Sequence, residues 1–461
     1  MACRTRHNMD NTTTELVTRP LAVPPHSLDD ISRPFAGDLL QRKALARRLT
    51  NYIDRLACGA VLAIDAPWGE GKSWFARHWC ADLEKAGYRV GMIDAFQQDY
   101  VEDPFFLLVG EIREVCQEDK HLANRLADKA AAVAGAILPT GFKLVLNAGG
   151  KWLLGTTDVV DQVRDAADAA VEKSAEFVQE WAKQKLEAYA AEQETVRAFR
   201  AEVQKFAAAK DKPVVIFVDE LDRCRPEFAV RLIERTKHFF DVPNLVFVLV
   251  MNRGQLENAI CGVYGPKTDA AAYLGKFLNL SLSLPKSRNS DVGPEAMMTK
   301  YVKATLKRYG EDQSPGWFGA TLPASAQLFD LSLRDIERAC ALRFLSDMEC
   351  DGLLACLVSI RIKKPEVFNA LKRGNNAGFK AFFDALEERR QMGLWGSDGP
   401  ITRYLNALLA LARLAAGMGG NSERESLMQE RQLLFAEDFS SSDDPVLLLV
   451  RAVRSLDLEV E

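Results

Sequence analysis

No two of the nine cysteines stand in a CxxC pair, and their number is odd. Neither a disulfide framework nor a zinc constellation at the usual spacing therefore organises the chain, and a reducing, cytoplasmic setting is expected. The opening stretch MACRTRHNMDNTTTELVTRP lacks the apolar core of a secretory signal, and residues 1–28 read as a flexible polar arm. A charge excess is missing too: 59 Lys plus Arg face 64 Asp plus Glu, a formal net charge of −5. No global basic field exists to hold nucleic acid or anionic lipid, so any polyanion must bind locally. There is no repeat of fixed period, and SSSDD near residue 440 is the one low-complexity patch. An unbroken apolar run of about 20 residues is also absent. The most membrane-like stretch, AAAVAGAILPTGFKLVLNAGGKWLLG, is interrupted by Pro139, Lys143, Asn147, the Gly149–Gly150 pair and Lys151. A membrane span over residues 130–155 is not expected; a soluble helical hairpin is, with an interfacial contact as the alternative.

What is present is the composition of an ordinary globular protein. With 461 residues, 48% hydrophobic and 27% charged, the chain can bury a sizeable core and divide into two or three domains. From Asp29 onward, Leu39, Leu40, Leu45, Leu49 and Ile53 fall at near-helical spacing and predict an amphipathic helix ahead of a first strand, GAVLAID. A helix from Lys72 to about Ala86 follows, stopped by Gly87. YRVGMIDAF, KPVVIFVDE, NLVFVLVMN and the weaker FLNLSLSLP add four more strands. Short apolar runs alternating with helical segments predict an α/β domain with a parallel sheet. Residues 118–208, between the second and third strands, are too many for a simple crossover and read as a mostly helical insertion. Val196, Phe199, Val203 and Phe206 form a stripe there, either a face packed on its own domain or a coiled-coil partner surface. After about Leu284 helical periodicity runs to the end.

Ala66 to Ser73, APWGEGKS, stands directly after the first strand and opens a helix. That is the place and nearly the pattern, GxxxxGK followed by Ser or Thr, of a phosphate-binding loop. Gly69 and Gly71 supply the backbone freedom that lets successive N–H groups wrap a phosphate, and the helix N-terminus adds partial positive charge. Lys72 is expected along the β- and γ-phosphates and Ser73 on Mg²⁺. Pro67, Trp68, Gly69, Glu70, Gly71, Lys72, Ser73 and Trp74 make up the expected nucleotide contacts. The third strand ends in Asp219 and Glu220, and two carboxylates at the carboxyl edge of a buried parallel strand have no cheap structural reason. Asp219 is expected to hold the Mg²⁺ shell, and Glu220 to orient or deprotonate an attacking water. Asn252, ending the fourth strand, is the candidate γ-phosphate sensor, with an ordinary turn residue as the alternative. Arg334 follows Ser332, a possible helix cap, and sits where a lid arginine would reach nucleotide unless it pairs with Asp335 or Glu337.

These residues resemble the KAP family of P-loop NTPases. The likeness runs through DLLQRKALARRL, APWGEGKSW, IDAFQQDYVEDPFFLLVGEI, VIFVDELDRCRPE, YLGKFLNLSLSLP and SLRDIERA, with VDELDRC the most specific. Three departures stand out: Ala66 for the leading glycine, Asp94-Ala95-Phe96 where relatives show Asn-Ala-Trp, and Glu220 where Asp is usual. The resemblance implies a P-loop NTPase with a parallel five-stranded sheet, a long helical insertion where relatives carry transmembrane hairpins, and an all-helical C-terminal lid domain. The expected division is 29–117 and 209–288 for the two parts of the NTPase domain, 118–208 for the insertion and 289–461 for the helical domain. Also implied is hydrolysis of ATP or GTP with Mg²⁺, driving a conformational switch in a regulatory or phage-defence assembly, with a protein partner or self-association through the insertion or lid. A nucleotide-gated scaffold with little turnover is the second reading. A DNA-handling motor is a weaker third, because Arg361-Ile362-Lys363-Lys364 is only a short basic cluster. Asp222 and Arg223 serve either nucleotide sensing or a contact with an adjacent subunit.

Overall fold

The structure is a computed structural model that describes residues 31–101, 103–115, 120–137, 142–146, 152–156, 193–208, 211–285, 294–309, 316–346, 350–392, 399–435 and 444–457. The arm 1–28 and the SSSDD patch up to Asp443 lie outside the described residues. The first helix among the described residues, α1 (Lys43–Ile53), starts later than the apolar spacing suggests. Pro34 lies ahead of it, and Phe35, Gly37 and Gln41 all adopt positive φ, so the segment carrying Leu39 and Leu40 is a series of turns.

Five strands form one parallel sheet in the order β2-β5-β6-β1-β7: β1 (Ala60–Asp65), β2 (Arg89–Asp94), β5 (Val214–Asp219), β6 (Leu245–Met251) and β7 (Leu280–Ser283). Every residue of β5 and β6 is buried, as expected of parallel strands covered on both faces. Val215 and Phe217 point to one layer, where Phe217 meets Trp79 of α2 (Lys72–Lys85) edge-on with centroids 5.2 Å apart. Val214, Ile216 and Val218 point to the other. That second layer holds α3 (Pro104–Val115), α4 (Lys120–Ile137), α5 (193–208) and α6 (Pro226–Phe240). The stripe on α5 is spent here: Phe199, Val203 and Phe206 are buried in the same cluster as Ile216 and Phe247, with Val196 packed against it. This is the own-domain alternative, and the stripe is not a partner surface.

The region expected to be a helical hairpin contains a two-stranded antiparallel ribbon instead. β3 (Phe142–Leu146) pairs with β4 (Trp152–Thr156), Phe142 opposite Thr156 and Leu146 opposite Trp152. Pro139 and the Gly149–Gly150 pair, which break a helix, flank segments that contain Phe142, Val145 and Trp152, residue types that favour strands. Among the described residues no helix is long and apolar enough to cross a membrane.

Beyond α7 (Arg253–Tyr264), α8 (Ala270–Gly275) and β7, the described chain is all helix. It runs through α9 (Pro294–Arg308), α10 (Gly316–Leu328), α11 (Leu333–Leu345), α12 (Asp351–Lys363), α13 (Pro365–Lys372), α14 (Asn376–Gln391), α15 (Pro400–Ala415), α16 (Asn421–Gln429) and α17 (Pro445–Leu456), around a core of its own. The basic cluster on α12 is committed to this fold. Lys363 pairs with Asp335 at 2.8 Å, Lys364 pairs with Glu388, and Arg361 donates to the Leu456 carbonyl.

β2 is an edge strand, and its Met92 N–H donates to Glu111 Oε1 of α3 at 2.7 Å. The carboxylate thus covers part of an edge that would otherwise template pairing. Burial pushes the Glu111 pKa up to about 7 from 4.5. The folded state therefore holds a proton that the unfolded chain releases, and this group's contribution to stability is fully present below pH 4.5 and is lost as pH rises through about 7. Glu111→Gln removes this titration while keeping an acceptor. The variant is expected to match the wild type near pH 4.5 and to exceed it at pH 8, by up to ~3 kcal/mol. Thermal unfolding at both pH values checks it; an unchanged difference between the two would refute the assignment.

Candidate nucleotide site

The loop between β1 and α2 turns sharply because Gly69 and Gly71 sit at φ of 85° and 74°. A side chain at Gly69 would come within 2.5 Å of Ser332 Oγ, and one at Gly71 within 2.8 Å of Arg42 Nη1. Both positions thus require glycine for their backbone and for their neighbours. Ala66, in place of the usual first glycine, is buried and keeps ordinary negative φ, its N–H bonded to the Met251 carbonyl at 3.2 Å. The alanine is consequently tolerated without strain.

Lys72 opens α2 and is nearly buried. Its ammonium donates to the Ala66 carbonyl at 2.8 Å and the Pro67 carbonyl at 3.4 Å, and lies 3.9 Å from Asp222 Oδ2. Burial lowers its pKa, opposed chiefly by Asp222. Asp222 has a side chain only 1% exposed; one oxygen accepts from the Trp68 indole, the other has no hydrogen-bond partner. Arg223 pairs with Glu220 Oε2 at 2.6 Å. Both residues left open by the sequence thus find partners within the chain.

Asp219, 2% exposed, ends β5. Its Oδ1 accepts from the Glu220 N–H at 2.8 Å, while Oδ2 is buried without a hydrogen-bond partner. Burial raises its pKa, and the nearby Ser73 hydroxyl opposes the shift. Glu220 follows in left-handed conformation, φ 59°, which aims its carboxylate across to Ser73 Oγ at 3.4 Å. Its pKa is raised by burial first and by Asp219 second. Asp94, aligned with Asp219 in the sheet register, adds negative charge from β2. Among the described residues no group of three or more His, Cys, Asp or Glu side chains is arranged to hold a metal ion unaided. Ser73 and the orphaned Asp219 oxygen fit a hard cation that arrives with phosphate oxygens.

β6 lies between the P-loop strand and the acid strand, so Asn252 at its end falls between the two motifs. Its side chain caps α7, accepting from the Gln255 N–H at 3.4 Å, the turn alternative foreseen for this residue. Across the loop, α11 begins with a capping box between Ser332 and Asp335, and the Arg334 N–H donates to the Gly69 carbonyl at 3.1 Å. Asp335 engages Lys363, and Glu337 engages Tyr301 and Arg308. Arg334 is therefore not held in the pairs considered for it and stays exposed at the cleft. That cleft, about 1020 Å³, lies between the P-loop, the turns before α1 and the lid helices α9 and α11. Sequence reasoning missed Arg42, whose buried guanidinium donates to the Glu70 carbonyl at 2.8 Å and the Gly71 carbonyl at 3.2 Å. No spacing rule marks it, because the contact is made across tertiary structure.

Two solved structures of the ORC2 protein of Aeropyrum pernix, one of ADPNP–ADP complexes and one of an ADP form, are similar at 12% identity and TM-scores of 0.30 and 0.31. The first match covers 94% of this chain and 95% of that one, the second 95% and 97%. At such scores the likeness bears on neither site nor function. No curated protein matches. The KAP family P-loop domain matches residues 42–346, from Arg42 through the lid helix that caps the loop, and the chain belongs to that family of P-loop NTPases.

Proposed function

We propose that the chain binds ATP, or GTP, with Mg²⁺ in this cleft, hydrolyses it, and moves its lid with nucleotide state. The observation that carries the reading is the meeting, at the carboxyl ends of β1 and β5, of Lys72, Ser73, the buried Asp219 and the half-buried Glu220. Ser73 and Asp219 would hold Mg²⁺, which would supply neutralisation of phosphate charge. Lys72 exchanges the carbonyls of Ala66 and Pro67 for the β- and γ-phosphates. Glu220 accepts the proton of the attacking water, its raised pKa making it a better base near neutral pH. Asn252 gives up a long cap bond to sense the γ-phosphate. The wider setting, a cytoplasmic regulatory or phage-defence assembly with a protein partner, rests on the family resemblance. Phosphate release from ATP and GTP, with and without Mg²⁺, is the test; no release under any condition would sink the hydrolase reading.

One observation favours the nucleotide-gated scaffold as a second reading. Arg223 occupies a Glu220 oxygen at 2.6 Å, and a base held in an ion pair turns over slowly. A single round of hydrolysis followed by a negligible steady rate would select the scaffold.

Lid movement makes its own prediction. A guanidinium reaching the γ-phosphate gains more from ATP than from ADP, so Arg334 would link closure to nucleotide state. Protease protection after Leu284 is expected to be stronger with ATP than with ADP in the wild type and equal in Arg334→Ala. The same digestion pattern with both nucleotides in the wild type would remove the switch.

A further inference from the structure

Three consecutive carbonyls of the P-loop face donors on the outside of the turn. Gly69 O accepts from the Arg334 N–H at 3.1 Å, Glu70 O from Arg42 Nη2 at 2.8 Å, and Gly71 O from Arg42 Nη1 at 3.2 Å. In a trans peptide the carbonyl and the N–H of one plane point in opposite directions. The two planes that Arg42 holds are those of the Gly71 N–H and the Lys72 N–H. Neither N–H has a protein acceptor among the described residues; Gly71 is the N-cap of α2 and Lys72 its first residue, and unpaired amides at a helix N-terminus attract anions.

Arg42 is an expensive way to hold a loop for shape alone. The residue is 3% exposed, and its Nε is buried without a hydrogen-bond partner. Burial lowers its pKa to about 10, so it stays a cation at neutral pH. Gly71 O already accepts the helical bond from the Phe75 N–H at 3.1 Å, so the helix does not need the arginine to satisfy that carbonyl. What the planar fork adds is a fixed relation between two adjacent peptide planes, which a single ammonium cannot impose.

We infer that Arg42 is a positioning residue for the phosphates: by holding the Glu70 and Gly71 carbonyls outward it keeps the Gly71 and Lys72 amides aimed at the β-phosphate, which ATP and ADP share. This rests on the nucleotide reading above. It differs from Lys72 in acting through the backbone, and from Arg334 in leaving ATP and ADP on an equal footing.

The test is titration of wild type, Arg42→Lys and Arg42→Gln with ATP, ADP and AMP, alongside their melting temperatures. Both variants are expected to bind ATP and ADP about tenfold or more weakly with AMP affinity unchanged, because AMP lacks the phosphates those amides serve. Millimolar guanidinium is expected to restore ATP affinity to Arg42→Ala. If the wild type binds none of the three, the nucleotide reading fails and the role of Arg42 with it. If the wild type binds ATP and the variants bind it equally well, or lose AMP in parallel with ATP, the positioning role alone is overturned.

Discussion

Lys72→Ala is expected to lower ATP affinity by at least ~10²-fold, below detection in an ordinary titration, because it removes the one side-chain cation aimed at the β- and γ-phosphates. The same substitution has a second effect that could be mistaken for the first. Asp222, with a side chain 1% exposed, loses the ammonium 3.9 Å away and keeps only the Trp68 indole as partner. A buried acceptor stripped in this way destabilises by about 1–3 kcal/mol. The double variant Lys72→Ala with Asp222→Asn separates the two, since a neutral amide still accepts from Trp68 and needs no cation. Melting temperature is expected to recover in the double variant and nucleotide binding is not. Titration with a fluorescent ATP analogue measures the binding, and unchanged affinity in Lys72→Ala would remove the P-loop assignment.

The parts of this site that the sequence makes legible are those encoded in contiguous residues. β5 and β6 are continuous apolar runs because both faces of the sheet are covered, and the acidic pair is conspicuous because it ends such a run. The P-loop is readable for the same reason: its glycines, Lys72 and Ser73 follow one another. Asp94 and Asp219 become neighbours only through the register of strands far apart in the chain. Arg42 reaches Gly71 across 29 positions, with no periodicity to announce the contact. Asp222 is adjacent to the motif, yet its partners Trp68 and Lys72 are 154 and 150 positions away by residue number. α1 starts later than apolar spacing predicts for a local reason that spacing does not register, namely the positive φ of Phe35, Gly37 and Gln41. The β3–β4 ribbon shows the converse: helix breakers argue against one long helix there, but arguing against one structure does not identify the other.

Glu220→Gln is expected to leave Mg·ATP affinity near the wild-type value while turnover falls by ~10² or more, because an amide can accept a hydrogen bond from water but cannot take its proton. The left-handed backbone at Glu220 places no new demand on glutamine, which has the same branching, and the Ser73 contact at 3.4 Å can be kept. Its neighbour behaves differently. Asp219→Asn removes a charge from a buried carboxylate oxygen near Ser73 that has no hydrogen-bond partner among the described residues, so the Mg²⁺ concentration needed for half-maximal rate is expected to rise. The pH profile distinguishes base from ligand further. Burial and Asp219 raise the Glu220 pKa above 4.5, so wild-type turnover is expected to fall on the acid side at a pH above that of an ordinary glutamate. Removing the opposing cation with Arg223→Gln moves that limb higher still, since the 2.6 Å ion pair favours the ionised form. Steady-state rates against pH and Mg²⁺ for these three variants supply the measurement. Equal losses of binding and turnover in Glu220→Gln and Asp219→Asn, with no movement of the acid limb in Arg223→Gln, would give the two carboxylates one shared role and remove Glu220 as the base.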